Sequence, residues 1–320
     1  MLAPQIEAAE RDPVFPLALA ARECYEALSA ELRETTGVDI GFWRPGIVRV
    51  ACSEEDAHGL RDRARWQRAL GLPAEWLGED DTSARWPWLG PIRGALWTHR
   101  EAALDPVRLV QALRQDAVQA GATIAAEAAL AIELTGGRVI AVRTDRNRHV
   151  TGNAVIAAGA WVSRLEGIPR PLPVVPVRGQ MAALPWPRGV EPGIVFGRHS
   201  YVVARADEAV IGSTMEHAGF DPLVTREGIE LITREARALC PPLMNGDVAR
   251  TWAGFRPVTP DGLPILGPEP AAEGLWYATG HGRNGILLAA ITGDVVRRML
   301  DGEDPGLDLS PLRPARFYDW

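Results

Sequence analysis

Apolar residues recur at helical spacing through PLALAARECYEALSAELRE, residues 16–34, and predict an amphipathic helix. GVDIGFW and GIVRVAC then read as strands, and SEEDAHGLRDRARWQRALG as a polar-faced helix. Residues 73–99 are rich in Trp and Pro and predict loops and short strands. At Asp105 the pattern becomes DPVRLVQALRQDAVQAG, a helix with Asp as N-cap, Pro at its first position and Gly121 at its end. The short β runs ATIAAEAAL, AIELTGGRVIAVRTD and HVTGNAVIAAGAW follow, with TGG as a hairpin signal. From about residue 170 the chain reads as β-rich with one helix, TREGIELITREARALCP. The tail GLWYATGHGRNGILLAAITGDVVRRMLDGE returns to strand, glycine turn and helix. The two styles interleave, so the expectation is an α/β, two-domain chain whose domains are each assembled from separate pieces.

The glycine turn is the first candidate for chemistry. Strand 275–278 enters a turn with Gly280, Gly282 and Gly285, where the absence of Cβ lets the backbone approach a ligand closely. The helix start beyond it presents N–H groups and partial positive charge, which suits an anionic group. The anionic edge of a reduced flavin ring would use such donors. Plain packing in an α/β protein also uses this pattern, and local sequence leaves both readings standing.

Composition removes several other classes. The net charge is -7, which argues against a nucleic-acid partner. All 34 basic residues are Arg; without Lys there is no Schiff-base or Walker-type chemistry. Cys24, Cys52 and Cys240 form no CxxC, and the six His are scattered, so no metal site is expected. No apolar run approaches the ~18 residues of a membrane span. The acidic start MLAPQIEAAERD lacks a signal peptide's basic and apolar regions, so the expected compartment is the cytoplasm.

GHGRNGILLAAITG resembles the C-terminal flavin segment of the D-amino acid oxidase family. GFRPVTPDGLPILGP, IGSTMEHAGFD, YVVAR, PVRGQMAAL, VIAAGAW and the opening MLAPQIEAAERD extend the resemblance co-linearly over essentially the whole chain. The likeness is to the glycine oxidase branch associated with thiamine biosynthesis. It implies a Rossmann-like FAD-binding domain from residues 1–30, 100–165 and 260–320. A β-rich substrate domain of the D-amino acid oxidase type would take residues 31–99 and 166–259. It implies oxidative deamination of glycine or a similar amine, O2 as acceptor with H2O2 formed, and an imine for thiazole synthesis. A homotetramer is expected on the same ground.

By the same resemblance Arg256 clamps the substrate carboxylate, a task suited to a guanidinium fork. Arg283, Tyr201 and Met215 join it as substrate-binding residues. His281, Gly282, Arg283, Asn284, Gly285, Ile286 and Leu287 are expected at the flavin ring, with Met1 beside it. Gly159, between Ala158 and Trp161, marks the strand exit at the cofactor, and Leu130 offers its backbone at the adenine end. No side chain stands out as an acid or base, and hydride transfer from a neutral amine needs none. Covalent-flavin sarcosine oxidases use a Cys near this segment; none follows Cys240, so FAD is expected to be non-covalent.

The family's opening strand and GxGxxG fingerprint do not occur in the sequence. Relative to the family, roughly 45 residues, one fingerprint half-unit, are expected to be absent. A chain of this length alone is then expected to bind FAD weakly or not at all and to aggregate, through exposed apolar edges. Two rival readings remain: a D-amino acid dehydrogenase passing electrons to a quinone, and a non-catalytic remnant that binds a partner and no flavin.

Overall fold

The computed structural model describes residues 1–8, 13–205 and 207–318. In chain order it begins with α1 (Pro4–Glu7), α2 (Phe15–Thr36), β1 (Ile47–Ala51) and α3 (Glu54–Ala69). Next come β2 (Glu75–Leu77), α4 (Glu79–Arg85), β3 (Gly94–Thr98), α5 (Pro106–Gln119), β4 (Ala129–Thr135), β5 (Arg138–Thr144), β6 (Arg148–Val150) and β7 (Ala154–Ile156). β8 (Val175–Pro185), β9 (Ile194–Phe196), β10 (Tyr201–Ala204), β11 (Glu208–Gly212) and α6 (Arg226–Leu239) follow. β12 (Arg250–Val258), β13 (Ile265–Pro268), β14 (Leu275–Thr279) and α7 (Gly285–Leu300) complete the chain apart from short 3-10 turns.

Two compact units form. The first takes residues 1–15, 42–104 and 178–254, the second 16–41, 105–177 and 255–320. The expected division ran 1–30 and 100–165 together, so its boundaries differ from the observed ones. Residues 1–8 fold with the first unit because Leu2 pairs with Ala102 through two backbone bonds, at 2.7 and 3.2 Å, and the buried Glu101 carboxylate accepts the Ile6 N–H at 3.1 Å. Short-range signals cannot foresee a partner so far along the chain.

In the first unit the strand order is β12-β8-β11-β10-β9-β1-β3-β2. Alternation decides its two faces. Val48, Val50, Ala182, Leu184, Val202 and Ala204 pack against Ile232, Ala236 and Leu239 of α6. Ile47, Leu96, Ile194 and Phe196 face the other way, toward α1 and Ala57, Leu60 and Ala64 of α3. Ser53 caps α3 by accepting the Asp56 N–H, and Thr225 caps α6 through Gly228.

The second unit carries the sheets β13-β14-β7 and β4-β5-β6. β7 and β14 run parallel, with Tyr277 opposite Ile156, over a core that includes Val139, Ile265, Leu275 and Phe317. Asp105 accepts from the N–H groups of Val107 and Arg108 and starts α5 where predicted. Gly136 and Gly137, at φ 58° and 76°, close the β4–β5 hairpin in the conformation only a mirror-type turn uses.

Three local expectations fail. GVDIGFW forms no strand: Gly41 sits at φ 63°, and a single bridge from Trp43 to Ala103 is all that pairs. ATIAAEAAL enters a strand only at Ala129, because residues 122–128 have no neighbouring ladder among the described residues. The Trp-rich stretch hides a helix, α4, in place of loop.

Candidate functional site

β14 ends at Thr279, whose hydroxyl donates to the Gly159 carbonyl at 3.0 Å. This joins the two small-residue exits, at residues 158–161 and 279–282, side by side at one end of parallel strands. Ligands bind at such carboxyl ends in open α/β sheets. Gly280 and Gly282 take φ of 74° and 53°. A Cβ at Gly280 would stand 2.8 Å from Thr259 Cγ2, whereas one at Gly282 would meet open space. One glycine is therefore needed for packing and the other leaves room above the turn.

α7 opens directly behind it, with Asn284 as N-cap, whose side chain makes no capping hydrogen bond. A helix start of this kind suits an anionic group. His281 bonds Thr292 Oγ1 through Nε2 at 3.1 Å, and burial lowers its pKa from 6.5 to about 4. At neutral pH it is an uncharged hydrogen-bonding group. Tyr25 of α2, fully buried, donates its hydroxyl to the Ile286 carbonyl and so fastens the first turn of α7. Burial pushes its own pKa well above the usual phenol value. Tyr25, Thr279 and Thr292 have no local sequence signal; a Tyr within an amphipathic helix carries no mark of its partner.

Arg256 lies half-buried in β12, and Arg283 is exposed within the 3-10 turn Gly282–Asn284. Leu130 sits at an irregularity between Ala129 and Ala131, where the β4–β5 register shifts, and its carbonyl accepts the Glu166 N–H at 2.9 Å. Trp161 meets Phe255 edge-on at 5.9 Å.

In the first unit Tyr201 faces the α1–α3 side of the sheet, with its hydroxyl 3.7 Å from Met181 Sδ. It pairs with Gly212, where a Cβ would come within 3.1 Å of that hydroxyl. Met1 packs against the same cluster. Met215 is 57% exposed, but its neighbours are tied down. Thr214 Oγ1 accepts the Gln180 N–H at 2.8 Å, Glu216 takes Arg178 Nε at 2.7 Å and Gln180 Nε2 at 2.8 Å, and Arg178 also reaches Asp221 at 2.8 Å. Burial raises the Glu216 pKa, and the bonds from Thr214, Arg178 and Gln180 outweigh it, leaving the carboxyl below its ordinary range. Arg178 and Gln180 stand in plain view in PVRGQM, yet only their partners give them a role.

Glycine turn, uncapped helix start, neutral histidine and small strand exits suit the ring end of a flavin, a planar group with an edge that turns anionic on reduction. Residues 1–299 match the model of the FAD dependent oxidoreductase family, DAO, and the chain belongs to that family. It is an enzyme of that class, with FAD as cofactor. It is similar to a glycine oxidase of Geobacillus kaustophilus, 33% identical over 99% of this chain and 85% of the relative. The crystal structure of glycine oxidase from that organism superposes with a TM-score of 0.94, at 32% identity, over 98% of this chain and 86% of the other. A bifunctional ThiO/ThiG protein of Trichormus variabilis is 32% identical over 99% of this chain, which spans 48% of that longer protein. Among the described residues no helix is long and apolar enough to cross a membrane.

Proposed function

We propose that this protein oxidises glycine or another small amino acid with non-covalent FAD and passes the electrons to O2. The carrying observation is the 280–285 turn, open above Gly282 and leading into a helix start that the Asn284 side chain does not cap. FAD would supply the hydride acceptor for the substrate carbon. His281, Gly282, Asn284, Gly285, Ile286 and Leu287 would hold its ring, with Gly159 and Met1 beside it and Leu130 at the adenine end. Arg256 binds the substrate carboxylate, and Arg283, Tyr201 and Met215 shape and hold the substrate. No side chain is assigned a proton. The work is orientation and exclusion of water, because a neutral amine already carries the electrons that assist the transfer. The likeness to the ThiO/ThiG protein supports an imine product used in thiazole synthesis. The homotetramer rests on resemblance alone.

The test is the absorption spectrum of this chain, and of the chain extended upstream in its reading frame, after loading with FAD and gel filtration. A band near ~450 nm retained by at least one of the two, bleached by anaerobic glycine and followed by H2O2 on admitting air, is expected. Retained flavin in neither protein would return the remnant reading. Bleaching without peroxide would make a quinone the acceptor.

A further inference from the structure

Away from the residues assigned above, a cavity of about 220 Å3 opens in the first unit, lined in part by Gly46, Arg85, Trp86, Trp97, Glu191 and Gly193. Trp97 pairs with Val48 across the sheet, on the face packed by α6. Tyr201, proposed for substrate on this same sheet, has its side chain on the opposite face.

Its walls are built. The Arg85 guanidinium lies 3.5 Å from the centre of the Trp97 ring, and His99 stacks on the same indole at 3.7 Å and 24°. His99 is held in turn by Glu75 at 3.3 Å. Trp86 meets Trp97 edge-on at 5.8 Å. Stacking orients the guanidinium while leaving its in-plane N–H groups for an acceptor. Among the described residues neither these groups nor the Trp97 Nε1–H meets a hydrogen-bond acceptor. Gly46, at φ 75°, keeps the indole edge clear: a Cβ there would lie 2.6 Å from Nε1. Glu191 lines the same cavity, and no ion pair joins it to Arg85.

One ligand chemistry uses both charges. A carboxylate takes the guanidinium fork and the indole N–H, and an ammonium group takes Glu191. A simple anion would meet Glu191 and a simple cation Arg85, each unfavourably. We infer that this cavity is a second binding site for a small zwitterionic α-amino acid, distinct from the site of oxidation. The inference is independent of which amine the enzyme oxidises.

Anaerobic equilibrium dialysis with labelled glycine tests it. The parent for the measurement is Arg256→Met, in which the proposed carboxylate clamp is gone. Saturable binding of glycine is expected there, weakened by about tenfold or more on adding Arg85→Met or Glu191→Gln. Glycinamide and acetate, each lacking one charge, should compete poorly. Both side chains are exposed, and an unchanged thermal melt verifies that each variant is folded. Absence of saturable binding in the Arg256→Met parent overturns the site, as does equal affinity in the Arg85 and Glu191 variants.

Discussion

Arg256 carries the proposed substrate contact that a single substitution tests most directly. Arg256→Met should raise KM for glycine by about a hundredfold, the cost of losing a charge-assisted pair of roughly 3 kcal/mol, with FAD affinity unchanged. Steady-state kinetics beside a flavin titration would show it, and an unchanged KM would reassign the carboxylate. Gly212 matters through what it leaves empty. The Cβ of Gly212→Ala would stand 3.1 Å from the Tyr201 hydroxyl and 3.2 Å from Met181 Cγ, so the ring must shift. Substrate affinity is expected to fall while far-UV circular dichroism stays the same. His281 has a pH consequence with a definite sign. Its folded pKa of about 4 lies below the ordinary 6.5, so the unfolded chain binds the proton more readily between those values. Its contribution to stability is complete above pH ~6.5 and declines as pH falls toward ~4. Urea melts across that window should lose stability in the wild type and lose less in His281→Asn. Parallel slopes would remove His281 from the account.

At the scale of elements, α7 is placed by other parts of the chain as much as by its own sequence. The hydroxyl of Tyr25 holds the first turn through Ile286, and Tyr25→Phe is expected to cost about 1 kcal/mol in denaturant unfolding. The flavin spectrum should shift with it, since the donors of that turn would relax. A variant matching wild type in both would reduce Tyr25 to filling. The helix itself was legible: the glycines at 280, 282 and 285 and the apolar run behind them predicted a helix just beyond the turn, found as Gly285–Leu300. The caps of α5 and the TGG hairpin were legible for the same reason, because their signals act within a turn or two. The helix α4 was not, since EDDTSAR carries only Thr82 buried and shows no apolar period.

Across the whole molecule, α5 presents Val107, Val110 and Val118, at 74%, 59% and 51% exposure. Such a stripe favours self-association. Sedimentation of the chain should show mass rising with concentration, and Val107→Glu with Val110→Glu should suppress it; a monomer at every concentration would mean that the stripe is not adhesive.

The sequence alone determined the interleaved α/β character, the caps and the glycine turn, because each is written in residues close together along the chain; Arg256 was proposed through resemblance to a family. The tertiary structure decided the rest. It brought Thr279 to the carbonyl of Gly159, 120 residues away, and Arg178 to Glu216 across 38. It drew residues 1–8 into the first unit through Ala102 and Glu101, and gave residues 122–128 no strand partner among the described residues. Propensity and periodicity describe a residue's own neighbourhood; which buried donor meets which acceptor depends on how distant segments cross, and that is settled only when the whole core closes.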